Sequence, residues 1–322
     1  MRLPTVLGLG ALLLGGCVGD IGDGELIAND SIRIVGGSSA FPGEYPGVLG
    51  LYDGVHLCTA TLVEPEWAIT AAHCVTPELT GHATLAEVTS SFYLLLDDVD
   101  LTDQNITSRQ IRLKEVFVHP DWNFSKLGDN DVAVLHLVEK VTDRDPVPLY
   151  RTPVPNATPV TQVGYGVSNA LAGTGAGVLR TLNTVTADCD NYGRSDLNLL
   201  CFDANDGNGT CFGDSGGPTF VTVAGELEIA GITSFGSSDQ CTGYDASTHI
   251  AGELAFIDAH VPKIAGGTPQ TGDPTADPEI GPAPTILSGC SVGHGRGRPT
   301  PGFALFATLC AVLVARRLAR RT

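Results

Sequence analysis

Basic residues are scarce. The chain carries 18 Lys and Arg against 36 Asp and Glu, a formal net charge of −18. A surface this acidic repels phosphate, which argues against a nucleic-acid binder. Charged residues are few overall, 17% of 322 residues, beside 43% hydrophobic ones. That balance excludes global disorder, which goes with low apolar content and high charge. The 40 glycines and 20 prolines have no period, and no internal repeat occurs, so a collagen-like fibre is excluded. The apolar runs at residues 3–16 and 303–315 fall short of the roughly 20 residues of a bilayer span. Neither His-Glu-x-x-His nor a phosphate loop occurs, so no cofactor and no metal are expected. The acidic stretch 97–103 lacks the ligand spacing of a calcium loop.

What is present is unevenly placed. The length allows about two compact domains. Between residues 34 and 263 stand 29 Asp and Glu against 10 Lys and Arg, a net of −19. Six arginines lie in the last 27 residues. Met1-Arg2 and the apolar stretch 3–16 have the order of a secretory signal. That stretch ends Leu14-Gly15-Gly16-Cys17, which resembles a bacterial lipobox. The resemblance implies loss of residues 1–16 and lipidation of Cys17. An ordinary signal peptide with a chance cysteine is the alternative. Residues 264–289 are rich in Pro, Gly, Thr and Asp and read as an extended linker. Cys290, the apolar run 303–315 and Arg316, Arg317, Arg320 and Arg321 follow. This order resembles the C-terminal sorting signals of myxobacterial surface proteins. It implies that residues 290–322 direct processing and anchoring at the cell surface. A plain membrane anchor is the alternative, and the arginines suit its cytoplasmic end.

The body between these ends reads as all-β. Short β-prone runs recur at 48–52, 56–63, 92–96, 111–118, 132–138, 178–185, 220–223 and 228–232. Gly, Pro, Asp and Asn separate them, which suggests a sandwich or a pair of barrels. Near the end, Leu254, Ile257 and Val261 have helical spacing over 253–261.

Four separated segments carry the chemistry. They are Arg33-Ile34-Val35-Gly36-Gly37, Thr70-Ala71-Ala72-His73-Cys74, Asn130-Asp131-Val132-Ala133-Val134-Leu135 and Gly213-Asp214-Ser215-Gly216-Gly217-Pro218. In this order they resemble the trypsin-like (chymotrypsin-fold) serine proteases, over residues 34–261. The resemblance implies two six-stranded antiparallel β-barrels with a C-terminal helix and a cleft between the barrels. It bounds a propeptide at 17–33 and a protease domain at 34–263. A serine hydroxyl is a poor nucleophile unless a base sits beside it. His73 fits that base, taking the proton of Ser215 and returning it to the leaving amine. Asp131 fits the carboxylate that fixes the imidazole tautomer. The backbone N–H groups of Gly213 and Ser215 would form the oxyanion hole. A non-catalytic homologue that binds through the same fold is the alternative class. Protein or peptide substrates are the expected partners, with nucleic acid excluded, a membrane reached through the two ends, and a monomeric body.

The resemblance also implies activation and covalent ties. Cleavage between Arg33 and Ile34 would free an amine to pair with Asp214, unless residues 34–37 are merely a strand start. Family positions imply the disulfides Cys58–Cys74, Cys189–Cys201 and Cys211–Cys241, of 15 pairings open to six cysteines. Gly209 stands at the base of the primary pocket, where a trypsin-type aspartate is missing. Ser234-Phe235-Gly236 would form the rim and pair with the substrate strand. One alignment puts Asp245 on the back wall, as in proteases resembling the crustacean collagenolytic ones, which accept basic and apolar side chains. A shifted alignment puts Gly243 there. The activation reading makes Ile34 the first residue of the active chain, measurable by mass spectrometry of its N-terminus. Full activity of the uncleaved chain would overturn it.

Overall fold

Alternating side chains build the first half of the body. After a two-residue strand, β1 (Ser38–Ser39), come β2 (Val48–Tyr52), β3 (Leu57–Glu64), β4 (Trp67–Thr70), β5 (Tyr93–Leu96), β6 (Arg109–Val118) and β7 (Ala133–Leu137). The computed structural model describes residues 34–262, apart from 97–98, 103–108, 127 and 196. Cys17, Arg33, Cys290 and the segments 1–33 and 263–322 lie outside the described residues. Strands β2 to β7 close a barrel in the order β2-β3-β4-β7-β6-β5, antiparallel throughout. In β6, Ile111, Leu113 and Val116 are buried while Arg112, Lys114 and Glu115 face water. The alternation slips by one residue where a bulge falls between Leu113 and Glu115. Leu49, Leu51, Leu62, Ile69, Leu94 and Leu135 fill the interior.

The second half is a sheet of seven strands. It contains β8 (Pro159–Gly164), β9 (Arg180–Val185), β10 (Leu199–Ala204), β11 (Pro218–Val223), β12 (Glu226–Gly236) and β13 (Gly243–His249). Its order is β1-β9-β8-β11-β12-β13-β10, so the short β1 adds to the six expected strands. A single bridge from Ala187 to Cys201 brings the chain after β9 round to β10. Much of this interior is polar. Gln162, Thr219, Asp245, Ser247 and Thr248 are all buried. They survive burial by bonding one another or the backbone, as Thr219 Oγ1 does with Ser247 Oγ at 2.8 Å.

Three helices complete the described chain: α1 (Pro77–Thr80), α2 (Leu85–Ser91) and α3 (Ile250–His260). The sequence pattern had no place for α2. Thr84 Oγ1 accepts from Glu87 N, and Glu87 Oε2 accepts from Ala83 N, a reciprocal cap at its start. Helix α3 is the expected C-terminal helix, begun three residues earlier than its apolar spacing. None of these helices is long and apolar enough to cross a membrane.

The three disulfides are Cys58–Cys74, Cys189–Cys201 and Cys211–Cys241, as the resemblance implied. Each limits the unfolded chain more than the folded one. Replacing Cys189 and Cys201 together by serine should cost about 3 kcal/mol. The expected readout is a lower urea midpoint, and an unchanged midpoint would refute it.

Candidate active site

A buried carboxylate joins the two halves. Asp131 lies just before β7 and has no exposed surface. Its Oδ1 accepts from the backbone N–H of His73 at 2.9 Å. Its Oδ2 stands 2.7 Å from His73 Nδ1 and accepts from Ser234 Oγ at 2.5 Å. His73 sits in a short 3-10 turn, Ala72–Cys74, that follows β4. Ser234 belongs to β12, in the other sheet. Burial opposes the charged form of Asp131, but the His73 charge and the His73 and Ser234 hydrogen bonds outweigh it and hold its pKa low. Burial also opposes charge on His73, and the Asp131 charge and hydrogen bond outweigh that, raising its pKa.

The Ser215 turn lies against the same corner. Thr59 of β3 donates its N–H to Ser215 O at 2.8 Å and its hydroxyl to Gly213 O at 2.9 Å. Ser215 O is 3.6 Å from Sγ of Cys74, the residue after His73. No described hydrogen bond joins Ser215 Oγ to His73, a contact that often tightens only when substrate binds. Among the described residues, nothing accepts the N–H of Gly213 or Ser215. Gly213 has φ +99°, open to glycine at little cost. Gly216 allows no Cβ, which would overlap Thr70 Oγ1 and Thr59 O. Cys58 and Cys74 sulfur atoms also lie near His73, but their disulfide leaves no thiolate for a metal.

Asp245 and Gly209 lie side by side. A Cβ on Gly209 would come 2.8 Å from Asp245 Oδ2. That oxygen accepts from Thr210 N at 2.7 Å, and Oδ1 accepts from Gln162 Nε2 at 3.2 Å. Burial is the main force on Asp245 and pushes its pKa up to about 6, against those hydrogen bonds. Gly243 instead abuts Ser237 Oγ, away from Gly209. A Cβ on Gly236 would make only ordinary contacts, 3.9 Å from Tyr244 O and 4.0 Å from Ser238 O. Asp203 is an exposed residue of β10, paired with Tyr244, rather than a loop acid, and Asp206 is exposed in the turn that follows. Sequence reasoning put Ser234 on the rim and missed its bond to Asp131. It also missed Thr59, Gln162 and Thr210, ordinary residues whose role comes from contacts across strands.

Ile34 and Asp214 are both fully buried. Val35 pairs with Gly209 in a short bridge and packs against Cys211. Asp214 accepts from Gly166 N at 2.7 Å and Cys211 N at 2.8 Å. No described contact joins Ile34 to Asp214, and Ile34 carries an amide while its bond to Arg33 is intact. Burial pushes Asp214 up to about 7; the two N–H groups and the Arg180 charge oppose this, and Asp245 adds to it. A carboxyl that holds its proton more tightly folded than unfolded stabilises below about pH 4. That stabilisation is lost as pH rises to about 7. In the uncleaved chain, wild type should therefore lose about 4 kcal/mol relative to Asp214→Asn between pH 4 and 7. Urea unfolding across that range measures it, and a constant gap would refute it.

Comparison with known proteins places these features. The trypsin family model, described as "Trypsin", matches residues 34–255. Brachyurin of Leptuca pugilator is 34% identical over 234 residues, 70% of this chain and 96% of that protein. Chymotrypsin-like elastase family member 1 of Bos taurus is 30% identical over 242 residues, 70% of this chain and 87% of that protein. Chymotrypsin-C of Bos taurus is 30% identical over 247 residues, covering 71% and 88%. With its two β-sheets, three disulfides and these matches over most of the body, the chain belongs to the trypsin-like serine protease family.

Proposed function

We propose that this chain is an exported serine endopeptidase, made as a zymogen and acting by an acyl-enzyme route. The observation that carries the reading is the buried His73–Asp131 pair, 2.7 Å apart, beside the Ser215 turn. Ser215 Oγ attacks the substrate carbonyl as His73 Nε2 takes its proton, and Asp131 holds the imidazole and its developing charge. The unengaged N–H groups of Gly213 and Ser215 receive the oxyanion, a contribution of about 3–4 kcal/mol per donor. His73 then protonates the leaving amine, and water completes hydrolysis by the reverse sequence.

Activation follows from cleavage after Arg33. Ile34 has φ +32°, a strained value for a β-branched residue. Cutting the Arg33–Ile34 bond releases that constraint and creates an ammonium for Asp214. Such a buried pair, once made, costs about 3–5 kcal/mol to break. Disulfides fit an oxidising compartment, consistent with an export signal at 1–16 and a Cys17 lipid. Cleavage at Arg33 would part that lipid from residues 34–263, leaving the linker 264–289 and the segment 290–322 with Cys290 to retain the enzyme at the surface.

Asp245 sets the primary pocket in this reading, with Gly209 making room for its carboxylate. Ionised, it receives Arg or Lys; protonated, it leaves a wall that accepts apolar side chains. With its pKa near 6, the basic-over-apolar preference is present above that pH and lost as pH falls through it. Taking the ratio for two peptides on one enzyme cancels the titration of His73. Phenylmethylsulfonyl fluoride should label Ser215 in protein cleaved after Arg33, as mass spectrometry can read. Peptide-library profiling should show Arg and Lys cleavage reduced by Asp245→Ala. An unlabelled, inactive protein would end the protease reading, and an unaltered profile would end the Asp245 assignment alone.

A further inference from the structure

We propose that Arg194 makes this enzyme favour substrates with a carboxylate side chain upstream of the scissile bond, where the peptide crosses Phe235. The proposal rests on the protease reading above and adds a second specificity site to it. Arg194 follows the turn that begins at Cys189, and its N–H donates to Cys189 O at 3.1 Å. The Cys189–Cys201 disulfide ties that turn to β10. The Arg194 guanidinium carbon stands 5.3 Å from the centre of the Phe235 ring. Its Nε donates to Tyr244 Oη at 3.2 Å. Tyr244 is itself held between rings, stacked on Tyr192 at 4.5 Å and edge-on to Phe235 at 6.2 Å.

The guanidinium is thus fixed at one nitrogen and one face. Among the described residues, nothing accepts from its two terminal nitrogens, and no carboxylate pairs with it. Acids outnumber bases 29 to 10 between residues 34 and 263, and four of the bases engage carboxylates. Arg109 and Arg144 engage Asp143, Arg151 engages Asp258, and Lys140 engages Glu66. A planar fork with both terminal nitrogens unengaged suits two parallel hydrogen bonds to a carboxylate.

The location makes the carboxylate a substrate's. Phe235 lies between Ser234, which bonds Asp131, and Gly236, where a Cβ would meet no atom closer than 3.9 Å. The Phe235 ring also abuts Gly128, where a Cβ would come 2.6 Å from its Cε1. A peptide paired along 234–236 runs across this ring on the upstream side of the cleaved bond. A Glu or Asp side chain there comes under the Arg194 fork.

The test uses chain activated by cleavage after Arg33. Peptides identical except for Glu, Gln or Lys at the third and fourth residues upstream of the scissile bond are compared by kcat/KM. Glu should exceed Gln at one of these positions by about fivefold, the upper range of an exposed ion pair. The ratio should shrink in about 0.5 M salt, fall to one in Arg194→Gln and invert in Arg194→Glu. A ratio compares two substrates on one protein, so a variant that merely loosens the Tyr244–Phe235 packing lowers both rates and leaves it standing. Equal rates for Glu and Gln in the wild type, or a preference retained in Arg194→Gln, would overturn the proposal. Failure to cleave any peptide, with Ser215 unlabelled by sulfonyl fluoride, overturns the protease reading and this one with it. Normal labelling with equal rates removes only the Arg194 site.

Discussion

A negative charge with no exposed surface is the constraint on which the rest of this molecule turns. Left alone, a buried carboxylate would take up a proton rather than stay charged. Asp131 avoids this through donors from both halves: His73 after β4, and Ser234 from β12. Thr248 of β13 adds a longer contact from its hydroxyl to the Asp131 carbonyl, at 3.3 Å. Neither sheet alone supplies this set. The two halves must meet in one register, and His73 is held in one orientation as a consequence.

The same seam fixes the Ser215 turn. Thr59 reaches out of the first barrel with its N–H and its hydroxyl, and its oxygen also accepts from Tyr165 N at 3.1 Å. Gly216 and Gly217 let the turn lie flat between Thr59 and Val163, where any Cβ would overlap backbone. The close approach satisfies the carbonyls of the turn while leaving the N–H groups of Gly213 and Ser215 unengaged. Rigid carbonyls and unengaged donors come from one packing arrangement.

Strands with a dry face were legible in the sequence. β2, β3, β5, β6 and β7 each show runs or alternations of apolar residues, and they fall within a few residues of the expected bounds. β1, β4, β8, β10, β13, α1 and α2 had no counterpart among the expected runs and helix, and β4 is only four residues long. β8 begins at a proline and buries Gln162. β13 buries Asp245, Ser247 and Thr248, so its pattern reads as a polar loop. A hydropathy pattern cannot foresee polar groups that are paired across strands. The site shows the same division. His73, Asp131 and Ser215 stand in local motifs, so the sequence could name them. Ser234, Thr59 and Gln162 act through partners 83 or more residues away, and no local signal marks them.

Asp245 and Asp214 belong to one electrostatic problem. Asp214 and Asp245 are both buried within a body already rich in acid, and the charge of Asp245 adds to the rise in the Asp214 pKa. Arg180 is the nearby cation that counters it. Its guanidinium is turned to the carbonyls of Gly166, Gly175 and Val178, so much of its hydrogen bonding goes to the backbone of that loop. One buried arginine therefore orders the loop beside Asp214 and moderates its charge. In the uncleaved chain the ionised form of Asp214 thus has Arg180 in its favour, and burial and the Asp245 charge against it. In the proposed activation, an ammonium at Ile34 would add one cation and no new buried side chain. It would also lessen the opposition to ionising Asp214 while Asp245 is charged.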